Sequence, residues 1–173
     1  MRNPTVLVVV LSVAACGSTA ATLTEAETRA LADSARTIVQ GAMNSADRLD
    51  FAAYFANFAQ DSDAKYAEAG SMYSSLADMK KGWADLIPQM ASLKQGMDGW
   101  APVVLSRDAV AFTTPFHFAV TMKGRPEYKG TGVWSGIVQR RNGAWRIVQA
   151  HESWNNQDQV IAALTAPAEP RRP

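Results

Sequence analysis

The Asn142-Gly143 pair constrains the fold of this chain more than any other feature of its sequence. It separates two runs rich in strand-forming residues, 128–141 and 144–154. Asn-Gly suits a two-residue type I′ turn because both turn positions have positive φ. The sequence therefore predicts a β-hairpin over residues 128–154 in which Arg141 lies opposite Ala144.

Extending that register predicts which side chains share each face of the hairpin. One face would pair Trp134 with His151 and Gly136 with Gln149, and the glycine would leave open volume beside polar groups. The other face would carry the apolar residues Val133, Ile137, Val148 and Trp154. We expect the first face to line a cavity. The second would be unfavourable in water, which predicts a homodimer.

Length and composition limit the chain to one domain and argue against nucleic acid. The 173 residues are 47% hydrophobic and 19% charged, enough for one core. Lys and Arg total 17 against 16 Asp and Glu, and loss of a leader that contains Arg2 would make the chain neutral. A neutral protein lacks the basic surface that phosphate backbones require, so nucleic acid is not an expected partner.

The N-terminus is typical of a targeting signal. Residues 6–13 form an apolar run too short to span a bilayer. The following Val13-Ala14-Ala15-Cys16 resembles the bacterial lipobox, in which the cysteine is diacylated and becomes the first residue. Cys16 is the only cysteine, so an intramolecular disulfide is excluded. We predict a lipoprotein signal peptide at 1–15 and a lipidated Cys16 with its tether at 16–23.

That resemblance implies a protein of the cell envelope with the membrane as a partner. The anchor would hold it at the outer membrane, or at the periplasmic face, of a Gram-negative cell. The alternative is ordinary signal-peptide cleavage slightly later, near Ala20 or Ala21, where small residues also occur.

Helical patterns dominate the first half of the remaining chain. Thr24 and Glu27 form a capping box for a helix that extends to about Ala46, and Asp50 is a suitable N-cap for a short aromatic helix. An acidic turn at 61–63 and a short strand at 64–69 follow. A third helix begins after Ser75, with an apolar stripe predicted to run to Met90 and Pro88 expected to kink or end it.

The second half is predicted to be strands. Residues 93–105 indicate one weak strand interrupted by glycine and proline. Residues 109–122 alternate strongly, which places His117 on the face opposite the phenylalanines unless a bulge at Pro115 reverses the parity. A short terminal helix and a proline-rich tail are expected within 157–173. Helices followed by strands predict an α+β fold.

This order of elements resembles the NTF2-like superfamily, particularly its SnoaL-like and DUF4440-type branch. The resemblance covers residues 24–156. It is carried by the aromatic helix with its acidic turn at 51–63, the step from Gly70 to Tyr73, and the closing strand at 143–153. It implies a cone in which N-terminal helices pack on a curved, mainly antiparallel sheet around a cavity. Such domains commonly dimerise through the outer face of the sheet, and they include isomerases, dehydratases and noncatalytic binding domains.

Two functions are consistent with these residues. The first is an anchored module that binds a small apolar ligand or serves as a dimerising interaction domain. Its predicted cavity residues are Tyr54, Tyr66, Trp83, Trp134, Gln149 and His151. The alternative to a ligand-binding role is ordinary packing for the aromatic residues, and a core or rim position for His151.

The second function is an isomerase or dehydratase that uses His151 for general acid–base chemistry, with His117 or Tyr54. No cofactor is implied. A zinc site would need both histidines and a carboxylate such as Glu68 or Glu152, and no ligand spacing in the sequence supports it.

Overall fold

The computed structural model describes residues 22–60 and 64–165, and these form an α+β fold. N-terminal helices pack over a curved, unclosed and mostly antiparallel sheet, as predicted. The elements in chain order are α1 (Glu25–Asp47), α2 (Phe51–Ala56), β1 (Lys65–Glu68), β2 (Ser71–Tyr73), α3 (Leu76–Trp83), a 3-10 turn (Ile87–Gln89), β3 (Met90–Met97), β4 (Ala101–Ser106), β5 (Ala109–Met122), β6 (Glu127–Arg141), β7 (Ala144–Trp154) and α4 (Gln157–Thr165).

The seven strands form one sheet in the order β2-β1-β7-β6-β5-β3, and β4 pairs with the other half of β5. Neighbouring strands are antiparallel except β1 and β7, which are parallel. This parallel pair brings a strand from the helical half of the chain beside the last strand. The site described below lies at that junction.

Helix α1 covers the concave face of the sheet through small side chains. Its N-terminus has the predicted capping box, because the Thr24 hydroxyl accepts from the Glu27 backbone N–H and the Glu27 carboxylate accepts from that of Thr24. Its core-facing residues include Ala35, Val39 and Ala42, all fully buried. Three small or β-branched side chains allow the helix axis to approach the sheet closely.

Strand β5 supplies the predicted apolar face. Its pairing with β6 runs without a register shift through Pro115, so the parity change considered for that residue does not occur. The inward residues, all buried, are Val110, Phe112, Thr114, Phe116, Phe118, Val120 and Met122.

Two predicted elements differ from the structure. The weak strand expected over 93–105 is two strands, β3 and β4, because the chain turns at 98–100 and each half pairs with a different part of β5. The third helix ends at Trp83 instead of continuing to Met90, and Pro88 lies in the 3-10 turn before β3. Proline has no N–H for a helical bond, which is consistent with this early end.

The central hairpin forms with the predicted turn, but its register changes part of the way along. Asn142 and Gly143 have φ of 51° and 80°, as a type I′ turn requires. The predicted pairs hold from Arg141–Ala144 to Val138–Ile147. A β-bulge follows, so that Ile137 pairs with Gln149 and every later residue of β7 is displaced by one position.

The predicted signal peptide, Cys16, most of the tether, the acidic turn 61–63 and the proline-rich tail lie outside the described residues. Among the residues that are described, no helix is both long and apolar enough to cross a bilayer.

Candidate functional site

A mainly apolar cavity lies between the concave face of the sheet and the helices. Its volume is about 60 Å³. Helices α1, α2, α3 and α4 and strands β1, β3, β5, β6 and β7 all contribute to it. Its described lining is Met43, Ala46, Tyr54, Glu68, Trp83, Leu86, Met90, Leu93, Gln95, Phe116, Phe118, Val120, Trp134, Glu152, Trp154, Val160 and Leu164.

Two carboxyl groups interrupt this apolar wall side by side. Glu68 on β1 and Glu152 on β7 are register partners in the parallel pair, so their side chains project from the same face of the sheet. The bulge in β7 is responsible for the position of Glu152, because it makes Glu152 the partner of inward-facing Trp134. Without the bulge, Glu152 would face away from the cavity.

An indole N–H donates to each carboxyl group. Trp83 Nε1 lies 2.9 Å from Glu68 Oε2, and Trp154 Nε1 donates to Glu152 Oε1. The donors have different origins, since Trp83 ends helix α3 whereas Trp154 lies two residues after Glu152 in the same strand. Each carboxyl group is thus oriented by a fixed donor and retains further lone pairs that can accept.

Burial and mutual repulsion favour the protonated forms of this pair. Burial raises the pKa of Glu68 well above its usual 4.5, and the charge of Glu152 raises it further, against the opposing hydrogen bond from Trp83. Burial also raises the pKa of Glu152 to about 7, opposed by the hydrogen bond from Trp154. Glu68 therefore stays protonated near neutral pH, and the negative charge of the site comes from Glu152, which is about half ionised at pH 7 and mostly ionised at pH 8.

Tyr54 lies beside the pair and stays neutral. Burial raises the pKa of its hydroxyl well above 10, with further contributions from the charges of Glu152 and Glu68. Its ring stacks on Trp83 at 5.7 Å between centroids and an interplanar angle of 16°. A second, smaller cavity of about 10 Å³ shares Tyr54, Glu68, Trp134 and Glu152 with the first. The carboxyl groups therefore border both spaces.

Four of the sequence-predicted cavity residues line one or both cavities: Tyr54, Tyr66, Trp83 and Trp134. Tyr66 has a structural role as well. Its hydroxyl lies 3.0 Å from the carbonyl oxygen of Ala59 and 3.2 Å from that of Ile147.

The predicted placement of His151 at the cavity is wrong. The bulge makes Ser135 the partner of His151, whose side chain is exposed on the outer face of the sheet. His117 is also exposed on that face, and its Nδ1 lies 2.6 Å from Asp98 Oδ1. Neither imidazole lines the cavity described above, so acid–base chemistry there cannot use them directly.

Three other details of the predicted hairpin faces are corrected. Gln149 moves to the outer face with His151, and Trp154 moves inward to line the cavity. The open volume expected beside Gly136 is filled by the Phe112 ring, which lies 2.9 Å from where a Cβ would be.

The sequence contained a partial signal for the carboxyl pair. The predicted strand 64–69 places Glu68 on the same face as Tyr66, an unusual position for a charged residue if that face is buried. No sequence pattern pointed to Glu152, because its inward direction depends on the bulge. Within the described residues no group of three or more His, Cys, Asp or Glu side chains has a metal-binding arrangement.

The fold and cavity define an NTF2-like domain, and comparison with known families gives a narrower assignment. The SnoaL-like domain family matches residues 35–157, which is most of the chain. The chain therefore belongs to the SnoaL-like domain family. A search of curated proteins found no match.

Solved structures share this fold at low sequence identity. An NTF2-like superfamily protein from Salmonella enterica serovar Typhimurium is 16% identical with a TM-score of 0.67, covering 73% of this chain and 92% of its own. A candidate scytalone dehydratase from Novosphingobium aromaticivorans is 11% identical with a TM-score of 0.69, covering 76% and 89%. The hexachlorocyclohexane dehydrochlorinase LinA-type3 from Novosphingobium barchaimii is 14% identical with a TM-score of 0.62, covering 76% and 91%. At these identities the similarity establishes the fold alone.

Proposed function

We propose that this protein binds a small, largely apolar molecule in the cavity, with the ligand's polar group directed at Glu68 and Glu152. One observation supports this above all: two adjacent carboxyl groups line an otherwise apolar, aromatic-rich cavity. Binding sites commonly combine apolar walls with a few polar groups that fix orientation.

The size of the cavity limits the ligand. Ligand pockets usually enclose about 300–1,000 Å³, and this cavity is much smaller at about 60 Å³. Leu86 and Leu164 line the cavity and are only partly buried, so a shift of these two side chains would admit a larger molecule.

Native mass spectrometry of protein purified from its own cells tests this proposal. We expect a small molecule to be retained by the wild type and lost from Leu86→Trp, which fills the cavity. Met72→Trp, at a position 72% exposed on strand β2, is the matched control and should retain the ligand. Equal spectra for the wild type and Leu86→Trp would contradict ligand binding in this cavity.

Acid–base catalysis of an isomerase or dehydratase type is a second candidate function. The specific observation in its favour is the pKa of Glu152, which burial raises to about 7. A carboxyl group with a pKa near the working pH can both accept and donate a proton. Glu68, whose pKa is raised further, is suited to act as the acid. This assigns to the carboxyl pair the role that the sequence suggested for His151.

Deuterium exchange provides a test that needs no knowledge of the natural substrate. Cyclohexanone in D₂O reports proton abstraction beside a carbonyl, and proton NMR follows the loss of signal. We expect Glu152→Gln to abolish any exchange above the buffer rate and His151→Gln, on the outer face, to leave it unchanged. Exchange that survives Glu152→Gln would contradict this role.

We also propose that Cys16 carries a lipid anchor that holds the protein at the membrane. Support comes from the sequence Val13-Ala14-Ala15-Cys16 and the single cysteine. Mass spectrometry of the mature N-terminus tests it, and a diacylated Cys16 is the expected result. An unmodified N-terminus near Ala21 would instead establish ordinary cleavage.

Homodimerisation through the outer face of the sheet is also proposed. The corrected hairpin register takes Trp154 out of this face. Two exposed valines lie on it, Val133 of β6 at 40% exposure and Val103 of β4 at 60%. Val103 lies in one row with Ala111 and Ile137 across three strands. Side chains this small and apolar would pack closely against a second copy.

A further inference from the structure

The charges around the cavity are unbalanced. Glu68 and Glu152 line it, and no Lys, Arg or His is among its described lining residues, nor among those of the smaller cavity. Ionised groups inside proteins are normally paired with an opposite charge, because an unpaired buried charge is costly. The described site provides no such partner from the protein itself.

We propose that the preferred ligand of this cavity is a small organic cation, an amine on an apolar group, whose ammonium group binds between Glu68 and Glu152. The inference rests on the proposed ligand-binding function and specifies its ligand class. It concerns the charge of the ligand, and a neutral apolar molecule is the competing possibility.

The geometry of the carboxyl pair suits an ammonium group. The two residues are direct register partners on parallel strands, so one donor group can reach both. An ionised carboxylate has about four acceptor positions, and a protonated carboxyl group keeps part of that capacity. The described contacts use one acceptor position on each glutamate, through the indoles of Trp83 and Trp154. An ammonium group carries up to three N–H donors, and bonds between charged partners are stronger than neutral ones.

The walls of the cavity also favour a cation. Rings of tyrosine, tryptophan and phenylalanine form much of the lining, and their electron-rich faces attract cations. These rings are Tyr54, Trp83, Phe116, Phe118, Trp134 and Trp154. A neutral ligand would gain only apolar burial from the same surface.

A metal ion fits this cavity less well than an amine. Calcium takes about six to eight oxygen ligands, and magnesium requires a near-octahedral set. Apart from the two carboxyl groups, the described lining side chains with oxygen atoms are Tyr54 and Gln95. The remaining wall is apolar, which matches the hydrocarbon part of an organic ligand.

Isothermal titration calorimetry with three compounds of similar size tests the inference. Benzylamine is a cation at pH 8, benzyl alcohol is neutral and benzoate is an anion. We expect benzylamine to bind roughly tenfold more tightly than benzyl alcohol, and benzoate not to bind. Lowering the pH to 5 should weaken benzylamine selectively, because protonation removes the negative charge of the pair.

Variants connect that preference to the carboxyl pair. Glu152→Gln keeps the side-chain shape, removes the ionised member of the pair and should abolish the preference for benzylamine while benzyl alcohol still binds. Glu25→Gln, whose side chain is 90% exposed, removes one negative charge far from the cavity and should bind like the wild type. Circular dichroism establishes that each variant is folded.

The possible results separate this inference from the proposed function. If benzyl alcohol binds as tightly as benzylamine, or if Glu152→Gln keeps the preference, the cation inference is wrong and ligand binding stands. If none of the three compounds binds at millimolar concentration and Leu86→Trp also leaves the native mass spectrum unchanged, both proposals fail.

Discussion

At the scale of single residues, the chemistry of this protein depends on two glutamates. Glu68 and Glu152 occupy positions that an apolar pair would fill at lower cost, since burial opposes the ionised form of each. The indole donors of Trp83 and Trp154 offset part of that cost. A protein that keeps acidic groups in such surroundings gains no stability from them at neutral pH, which supports a functional role.

The pH dependence of stability provides a prediction for Glu152. Its pKa is raised from 4.5 to about 7, so the folded protein binds more protons than the unfolded chain between these values. Stability is therefore highest below pH 4.5 for this group and falls as the pH rises through 7. Between pH 5 and pH 8 the ionisation of Glu152 should lower the free energy of unfolding by roughly 2 to 3 kcal/mol, and we expect Glu152→Gln to abolish that decrease.

Urea unfolding at pH 5 and pH 8 measures this effect. Glu25→Gln is the control, because its exposed side chain should leave the pH dependence of the wild type in place. A Glu152→Gln protein that loses as much stability as the wild type between these pH values would show that Glu152 ionises normally in the fold.

At the scale of elements, strand β6 provides space for the aromatic rings of β5. Gly132 and Gly136 face inward, and a Cβ at either position would lie within 3 Å of a phenylalanine ring carbon and closer still to a carbonyl oxygen of β7. The rings of Phe116 and Phe112 cover these glycines. Both positions lie inside a strand and form no turn. They are glycine because the neighbouring backbone and rings approach too closely for a side chain.

Replacing glycine by alanine should therefore have opposite effects in two elements. Gly132→Ala would place a Cβ 2.4 Å from the Ser153 carbonyl oxygen, and we expect a loss on the order of 1–3 kcal/mol. Gly41→Ala in α1 would meet its nearest neighbour, Asn57 Oδ1, at an ordinary 3.6 Å. That change should stabilise the helix by roughly 0.5–1 kcal/mol.

Free energies of unfolding for the two variants, measured in urea, test this contrast. The substitution is chemically identical, so the difference reports only the surroundings of each glycine. Equal effects of the two changes would contradict the close packing of β5 rings over β6.

At the scale of the whole molecule, the sheet has two faces with different roles. The concave face carries the cavity under the helices, and the outer face carries His117 and His151 together with exposed apolar side chains. Val133 lies near the middle of that outer face on the central strand β6, between Pro115 and Ser153. This arrangement makes the outer face the surface proposed for dimerisation.

Light scattering during size-exclusion chromatography tests the dimer. We expect the wild type to be a dimer. Val133→Glu should be a monomer, because burying the unpaired carboxylate in the interface would cost its hydration free energy. Met72→Glu adds the same charge at an exposed edge position and should remain dimeric. A monomeric wild type at high protein concentration would refute the proposed interface.

Local patterns were sufficient to predict most elements of the fold. The capping box at Thr24, the inward face of β5 and the turn at Asn142 all depend on residues close in sequence, and all three form as predicted. The third helix was predicted to be too long, and the reason is also local. Its apolar spacing continues past Trp83, whereas the helix itself ends there, before Pro88.

The candidate site depended on contacts that the sequence pattern does not show. The Asn-Gly turn fixed the first pairs of the hairpin, and a constant register would have put His151 in the cavity. Ile147, next to the bulge, also bonds to the 57–59 segment: its N–H donates to the Asn57 carbonyl at 2.9 Å, and its carbonyl accepts from the Ala59 N–H at 2.8 Å.

The sequence by itself determined the alternation of apolar residues, the helix cap and the hairpin turn, because each is set by neighbours along the chain. Only the tertiary structure decided which β7 side chains face the cavity. Ile147 must satisfy partners on β6 and on a segment about ninety residues earlier. The extra residue beside it turns Glu152 inward and His151 outward, since successive strand residues point to opposite faces.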